Sequence, residues 1–249
     1  MKEYRGQFPE PRAYKGDHYA SQPEPRTALA AMISRMERDV GRILDLLKKL
    51  ALDRDTLVLF TSDNGGYLLA DELFRNNGPL RGGKGSFYEG GIRVPLLVRW
   101  PGRVPAGATD DLAWAFWDVL PTLAELANAK PPAGLDGAPL AKRLLGEKQT
   151  PPERFLYWET QPQNQGGKPP WAVAARRGNW KALRQKPHLP LELYDLGIDI
   201  GETRNVAKAH PEVVKQFEAF LKTARTTSRT YPVEEPLWKY EPLKTGFVR

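Results

Sequence analysis

The sequence predicts an α/β fold, in which part of a mixed sheet with flanking helices is followed by a small antiparallel sheet and a final helix. Three observations predict this class. An amphipathic helix near the start runs directly into an apolar strand, and a second apolar strand follows further along. The second half then holds four short strand-like segments, separated by turns, before the last helix.

Apolar periodicity defines the elements of the first half. Apolar residues recur three or four positions apart through residues 27–52, which predicts a helix. The runs TLVLF (56–60) and VPLLVRW (94–100) are typical of strands covered on both faces. A further helix is expected to begin near Pro121, because proline is tolerated in a first turn.

Turn signals divide the second half into short strands. The predicted strands are RFLYWE, WAVAARRG, NWKALRQ and LELYDL, and HPEVVKQFEAFLKTART predicts the last helix. One face of that helix is apolar, through Val213, Val214, Phe217, Phe220 and Leu221. Together these patterns predict a leading surface loop (1–26), part of the α/β domain (27–135), a small antiparallel-sheet subdomain (136–226) and a tail (227–249).

Composition excludes several classes of function. The chain of 249 residues contains no cysteine, which excludes disulfides, thiolate metal sites and cysteine nucleophiles. No apolar run approaches the roughly 20 residues of a membrane span. The net charge of +7 favours an anionic partner, but the 37 Lys and Arg residues are scattered, so we expect no nucleic-acid binding.

An acid-amide pair, Asp63 and Asn64, follows the first strand. In α/β sheets, ligands gather at the carboxyl ends of strands. Hard cations such as Ca²⁺ or Mg²⁺ favour oxygen ligands, so the pair is a candidate metal site. The sequence SDNG is equally typical of a turn in which both side chains bind nearby backbone amides.

Glycines surround a single lysine, Lys84, in the stretch RGGKGS. Glycine allows the backbone to approach a ligand closely, and an ammonium group suits a tetrahedral oxyanion such as phosphate or sulfate. The spacing is not that of a phosphate-binding P-loop. The alternative is that Arg81 and Lys84 decorate a mobile loop.

Four sequence motifs appear in the order and approximate spacing seen in the sulfatase family: TLVLFTSDNGG, NNGPLRGGKGSFYEGGIRVPLLVRWPG, GLDGAPL and LYDLGIDIGETRNVAKAHPEV. The chain therefore resembles the formylglycine-dependent sulfuric ester hydrolases of the alkaline phosphatase superfamily, and the resemblance implies an alkaline-phosphatase-like sandwich. It implies that Asp63 and Asn64 are two ligands of a calcium ion, for which magnesium is an alternative. It also implies that Lys84 is a catalytic residue that binds the substrate sulfate, and that Glu89 and Arg93 support the loop.

The resemblance also implies elements that this sequence does not contain. Family members carry a C-x-P-x-R or S-x-P-x-R segment, whose cysteine or serine becomes the formylglycine nucleophile. The nearest candidate, SQPEPR from Ser21, has Pro25 where arginine should stand. The paired aspartates of the family's amino terminus have no counterpart, and none of His18, His188 and His210 matches a catalytic position. We therefore expect the chain to correspond to the carboxyl-terminal half of a sulfatase and to lack turnover alone.

Two other functions stay open. The first is a phosphatase, phosphodiesterase or phosphomutase of the same superfamily. Its two-metal members resemble this strand but carry Asp-His, so Asn64 favours sulfate ester chemistry. The second is a catalytically silent sulfatase fragment or binding module, which the missing amino-terminal elements favour.

The expected partners follow from the charge and from the resemblance. They are a sulfated small molecule or glycan, with no nucleic acid and no membrane. Removing the strands that flank TLVLF would expose a sheet edge, so we expect the chain to bind a missing amino-terminal half or to self-associate. The sequence does not indicate a compartment, while the resemblance implies a periplasmic or secreted location.

Overall fold

The structure groups the chain into two compact units, and each is described on its own. The computed structural model describes residues 1–16, 20–67, 74–150, 152–160, 172–186 and 188–226. The first unit holds Met1–Phe60 and Leu97–Ala108, and the second holds 61–67, Phe74–Leu96 and the described residues of 109–226. The predicted boundaries at residues 26, 135 and 226 stay predictions, and the predicted tail 227–249 lies outside the described residues.

The first unit is built on a long helix, α1, which runs from Pro25 to Lys49 and confirms the helix predicted over residues 27–52. Pro25 occupies the first helical position, where its missing N–H is not needed. Lys48 and Lys49 lie in the last turn, where a positive charge interacts favourably with the helix dipole. Among the described helices, none combines the length and apolar character needed to cross a membrane.

Much of the apolar stripe of α1 is exposed. Within the helix, only Thr27 and Ala28 are buried. The exposed members of the stripe are Met32, Ile33, Met36, Ile43 and Leu46. The periodicity therefore predicted the helix correctly, although the described residues leave most of its apolar face uncovered.

Strands β1 (Val58–Thr61) and β2 (Leu96–Arg99) form a two-stranded sheet. The prediction that both are buried was wrong. All of β1 is half-buried, and Leu97 in β2 is 62% exposed. Both faces of a strand are buried only when layers cover each side, and such cover is lacking among the described residues.

Short helices and a buried aspartate organise the start of the second unit. Its helices are α2 (Glu89–Ile92), a 3₁₀ turn (Phe116–Asp118), α3 (Val119–Leu126) and α4 (Ala141–Leu144). The helix predicted near Pro121 is α3. Fully buried Asp118 accepts hydrogen bonds from the backbone nitrogens of Ala115 and Ala138 and pairs with Arg154.

The predicted antiparallel sheet is confirmed, with four strands in sequential order. The strands are β3 (Leu156–Thr160), β4 (Ala172–Arg177), β5 (Trp180–Arg184) and β6 (Glu192–Asp195), and the last helix is α5 (Pro211–Leu221). In this register, Ala174 pairs with both Trp158 and Leu183. Alternation along each strand gives the sheet two distinct faces.

Each face of the sheet is covered by a different part of the second unit. On one face, Val173, Ala182 and Leu193 pack with Phe217 and Leu221 of α5. On the opposite face, Ala174, Leu183, Tyr194 and Leu196 form a cluster against which Phe87, Tyr88 and Trp158 pack. The segment that leads into α2 is therefore anchored on the sheet.

Candidate functional site

Asp63 and Asn64 lie immediately beyond the end of β1. Asp63 is exposed and Asn64 is half-buried. The Asn64 amide nitrogen donates to the backbone oxygen of Gly65 (3.0 Å), so its side-chain oxygen is left to accept a hydrogen bond or to bind a cation. The turn alternative requires both side chains to accept hydrogen bonds from backbone amides. Among the described residues, neither the Asp63 carboxylate nor the Asn64 side-chain oxygen does so.

Lys84 is held beside this strand end through its backbone. Its backbone nitrogen donates to the backbone oxygen of Gly66 (3.0 Å), and the Gly65 nitrogen donates to the Gly91 oxygen (2.9 Å). A third bond runs from the Gly90 nitrogen to the Arg81 oxygen (2.8 Å). We call residues 65–66, 81–86 and 90–91 the glycine platform.

The glycines of the platform allow main chain to touch main chain. A Cβ atom on Gly65 would lie 1.7 Å from the backbone oxygen of Gly90, and one on Gly90 would lie 2.2 Å from the Gly82 oxygen. A Cβ atom on Gly91 would lie 2.1 Å from the Ser86 oxygen. At these three positions the close neighbour is therefore another segment of backbone.

Asn77 fastens two parts of the platform, and the sequence did not predict this role. Its side-chain oxygen accepts from the Gly66 nitrogen (2.8 Å), and its side-chain nitrogen donates to the oxygens of Gly66 (3.2 Å) and Gly82 (2.9 Å). The Lys84 side chain itself is exposed and has no hydrogen-bond or ion-pair partner within the described ranges. The structure thus joins all three predicted site residues through one hydrogen-bonded platform.

Two family models match the chain. A model described as Sulfatase matches residues 2–129, and one described as N-sulphoglucosamine sulphohydrolase, C-terminal, matches residues 83–227. The first covers more than half of the sequence. The chain belongs to the sulfatase family.

Curated relatives of this sulfatase-family chain include eukaryotic and bacterial enzymes. It is 37% identical to arylsulfatase A of Homo sapiens over 213 residues, which are 74% of this chain and 41% of that protein. It is 34% identical to an N-acetylgalactosamine-6-O-sulfatase of Bacteroides thetaiotaomicron over 224 residues, or 78% of this chain and 41% of that protein. The chain therefore spans about two-fifths of the length of these relatives.

Solved structures confirm the predicted alkaline-phosphatase-like fold. The crystal structure of Ps i-CgsB in complex with k-i-k-neocarrahexaose superposes with a TM-score of 0.66 at 33% identity, covering 78% of this chain and 43% of that one. The crystal structure of a phosphonate monoester hydrolase of Agrobacterium radiobacter superposes with a TM-score of 0.62 at 27% identity, covering 79% of this chain and 40% of that one.

Glu89 and Arg93, expected to support the loop, differ in their surroundings. Glu89 is 1% exposed and begins α2, while the Arg93 side chain is 42% exposed and lies 3.6 Å from the Glu89 carboxylate. Burial of a carboxylate inside the segment that carries the site is consistent with a supporting role.

An aromatic and ionic cluster that the sequence did not predict lies under the platform. The Arg81 guanidinium stacks 3.8 Å from the Tyr88 ring centroid and donates to the Tyr194 hydroxyl (3.1 Å). The hydroxyls of Tyr88 and Tyr194 both donate to Glu192, at 2.7 and 2.6 Å. Arg81 is therefore fixed to the sheet and is not the mobile decoration of the alternative interpretation.

The shared carboxylate shifts the pKa values of this cluster. Burial, together with the hydrogen bond to Glu192, raises the pKa of Tyr88 to about 12, and the same two causes raise the pKa of Tyr194. Burial raises the pKa of Glu192, but hydrogen bonds from Tyr194, Tyr88 and Gln185 outweigh it and leave that pKa lowered. Glu192 is thus ionised and its tyrosine partners are neutral donors at neutral pH.

This cluster predicts a pH-dependent stability. The pKa of Glu192 is lower in the folded state than in the unfolded state. Its contribution to folding stability is therefore present above the unfolded pKa of about 4.3 and is lost as pH falls through the folded pKa. Glu192→Gln should lower Tm by roughly 2–4 °C near neutral pH, about 1 kcal/mol for lost charged hydrogen bonds in a partly exposed cluster. The difference should shrink below about pH 4. Melting curves across this range test it, with exposed Glu147→Gln as the control, and a difference independent of pH would contradict it.

Within the described part of the chain, the histidines and the other acidic residues form no metal-binding cluster. Among the described residues, no group of three or more His, Cys, Asp or Glu side chains is placed to hold a metal ion. His210 packs against the Trp180 ring, with ring centroids 4.9 Å apart, and His18 lies outside the described residues. Any cation site built on Asp63 and Asn64 therefore needs further ligands beyond these two.

Proposed function

We propose that this chain is the sulfate-binding part of a sulfuric ester hydrolase of the arylsulfatase type. The observation that carries the proposal is the glycine platform, whose backbone hydrogen bonds join the segment directly after Asp63 and Asn64 to the backbone of Lys84. Membership of the sulfatase family supports the same activity. The chain spans about two-fifths of the length of its curated relatives, so we propose turnover only for a protein that also contains the remaining catalytic elements.

Asp63 and Asn64 fit a calcium ion in the chemistry of their donors. One offers a carboxylate without a partner among the described residues and the other offers an amide oxygen, and both are hard ligands. When bound, a calcium ion would supply positive charge for the reacting oxygens of the ester. Two residues cannot complete the six to eight oxygens that calcium typically takes, so affinity in this chain alone should be weak.

Lys84 is the residue that binds the substrate sulfate. Its ammonium group is exposed and unpaired within the described ranges, while its backbone is fixed at the Gly66 oxygen. A fixed backbone holds a long side chain over one location, and the ammonium can then stabilise the negative charge that develops on the sulfate and leaving oxygens. The nucleophile would come from a formylglycine in a C-x-P-x-R or S-x-P-x-R segment outside this sequence.

Names of relatives support a substrate class for this proposal. One curated relative is an N-acetylgalactosamine-6-O-sulfatase, and one solved relative is described with D-glucosamine-2-N,6-O-disulfate. We extend the proposal to sulfated sugars or aryl sulfates as substrates and to a periplasmic or secreted location. The structural likeness to a phosphonate monoester hydrolase makes phosphonate and phosphate esters the second candidate class.

The calcium proposal predicts that Asp63→Asn weakens calcium binding at least tenfold. The substitution removes the charge of the pair and leaves an exposed side chain of the same size. Isothermal titration of the chain with calcium chloride measures the affinity. The matched control is Asp111→Asn, since Asp111 is also an exposed aspartate. Equal affinity in the wild type and in Asp63→Asn would remove Asp63 from the site.

A test of turnover begins with the DNA sequence that precedes the codon for Met1. An in-frame C-x-P-x-R or S-x-P-x-R segment would supply the nucleophile, and the joined chain is then assayed with 4-nitrophenyl sulfate, sulfated sugars and a phosphonate ester. Preference for sulfate esters supports the proposal, and preference for the phosphonate favours the second candidate. A stop codon directly upstream would favour the silent binding module.

A further inference from the structure

A buried lysine, Lys181 on β5, joins two buried carboxylates. Its Nζ atom lies 2.9 Å from Oε1 of Glu89 and 2.9 Å from Oε1 of Glu202. The lysine and Glu202 are fully buried, and Glu89 is 1% exposed. Buried charges are tolerated only when paired, so each member of this group depends on the others.

Glu202 also binds the backbone of α2. Its Oε2 atom accepts from the Glu89 backbone nitrogen (2.6 Å), and its backbone oxygen accepts from Arg81 (2.8 Å). Glu202 has a φ of +50°, in the left-handed region that residues other than glycine rarely occupy. Surrounding contacts must hold a residue in such a conformation.

The contacts of Glu89 continue directly into the glycine platform. Glu89 is followed by Gly90, whose nitrogen binds the Arg81 oxygen, and by Gly91, whose oxygen accepts from Gly65. Because no Cβ atom fits at Gly65, Gly90 or Gly91, displacement of α2 would displace the platform with it. A continuous series of contacts thus links Lys181 to the segments that carry Asp63 and Lys84.

Lys181 is not equivalent to the arginines near it. Arg176 and Arg93 approach Glu89, at 3.4 and 3.6 Å. Within the described ranges, the ion-pair partner of Glu202 is Lys181. Loss of Lys181 would therefore leave Glu89 with cationic neighbours and leave Glu202 as an uncompensated buried acid.

We propose that Lys181 is a positioning residue for the sulfate site: it holds Glu89 and Glu202 together inside the protein and thereby fixes the glycine platform that carries Lys84. The inference rests on the proposed function of Lys84 as the sulfate-binding residue. Burial also raises the pKa of Glu202, which is consistent with a carboxylate that depends on its lysine.

The first test replaces Lys181 with methionine, which removes the charge and keeps a long apolar side chain. Hydrogen-exchange mass spectrometry should show residues 81–92 exchanging at least tenfold faster, with the β4–β5 hairpin unchanged. The affinity for inorganic sulfate, followed as sulfate-dependent protection of 81–92, should fall at least tenfold. Unchanged exchange and affinity would overturn the inference.

The control is Arg154→Met. This variant removes a cation from Asp118, a fully buried carboxylate of the same unit whose hydrogen bonds and ion pair, among the described residues, reach no residue of the platform. It should lower Tm while residues 81–92 keep their exchange rates and their response to sulfate. A general loss of stability would instead affect the platform equally in both variants.

A double variant, Lys181→Met with Glu202→Gln, separates positioning from stability and serves also where the single variant fails to fold. It removes the charges of Lys181 and Glu202 and leaves Glu89 beside Arg176 and Arg93, so Tm should recover in part. Methionine cannot form an ion pair with Glu89 or a hydrogen bond with the new glutamine, so sulfate affinity should stay low. Recovery of affinity together with Tm would mean that Lys181 acts through stability alone.

Lys84→Ala distinguishes failure of this inference from failure of the proposed function. It should abolish the response of residues 81–92 to sulfate without changing their exchange in its absence. If wild type and Lys84→Ala respond alike, the proposed role of Lys84 is wrong. If Lys84→Ala loses the response and Lys181→Met keeps it, only the positioning inference is wrong.

Discussion

Lys84→Ala should lower kcat/KM for an aryl sulfate by about 10²–10³, the loss typical of removing one preorganised group that stabilises a developing oxyanion. The measurement uses the chain joined to a segment that supplies the nucleophile. The ammonium is exposed while its backbone is bound to Gly66, so the substitution removes a charge and leaves the platform intact. Folding should therefore be unchanged, and the loss should appear in catalysis.

A surface lysine provides the control for this prediction. Lys148 is also exposed, and Lys148→Ala should leave kcat/KM within about twofold of the wild type because isolated surface charges contribute little. Lys84→Arg should recover only part of the activity, since a planar guanidinium does not reproduce a compact ammonium group. Full activity in Lys84→Ala would exclude Lys84 as the sulfate-binding residue.

Gly65→Ala should destabilise the unit that carries the site by more than about 3 kcal/mol. The added Cβ would lie 1.7 Å from the Gly90 oxygen and 2.7 Å from the Gly90 carbonyl carbon. Both atoms belong to the backbone, so no side-chain rotation relieves the overlap. Chemical denaturation followed by circular dichroism measures the loss.

A helical glycine offers the matched substitution. Gly41 lies within α1, where an added Cβ would meet nothing within 4 Å. Gly41→Ala should therefore stabilise the helix by about 0.5–1 kcal/mol. If Gly65→Ala were as stable as the wild type, the direct backbone packing of the platform would be incorrect.

Local periodicity was sufficient to predict most elements. The residues of α1 and α5 follow helical spacing, and the four short strands are bounded by turns such as Gly178-Asn179, so neighbouring residues alone determine them. Burial was predicted less well. Leu97 lies in an apolar run but is 62% exposed, because burial depends on which other elements cover a strand.

The site was predicted where its residues are close in sequence and missed where they are distant. Asp63, Asn64 and Lys84 are close in sequence and lie in the first two of the motifs that carry the family resemblance. Lys181 and Glu202 are far from these residues in sequence, and their contact with Glu89 depends on the register of β5 and on a left-handed turn. A lysine between Trp180 and Ala182 in a predicted strand was the available signal, because a buried lysine requires a carboxylate.

The two lysines of this region differ completely in their exposure to solvent ions. Lys84 is exposed and Lys181 is fully buried. Dissolved salt shortens the range of charge interactions from about 8 Å at physiological ionic strength to about 3 Å at 1 M, and it acts mainly on exposed charges. Concentrated sodium chloride should therefore weaken the attraction of the surface lysine for an anion while the internal ion pairs persist, so that release of a bound anion and retention of the native fold are compatible.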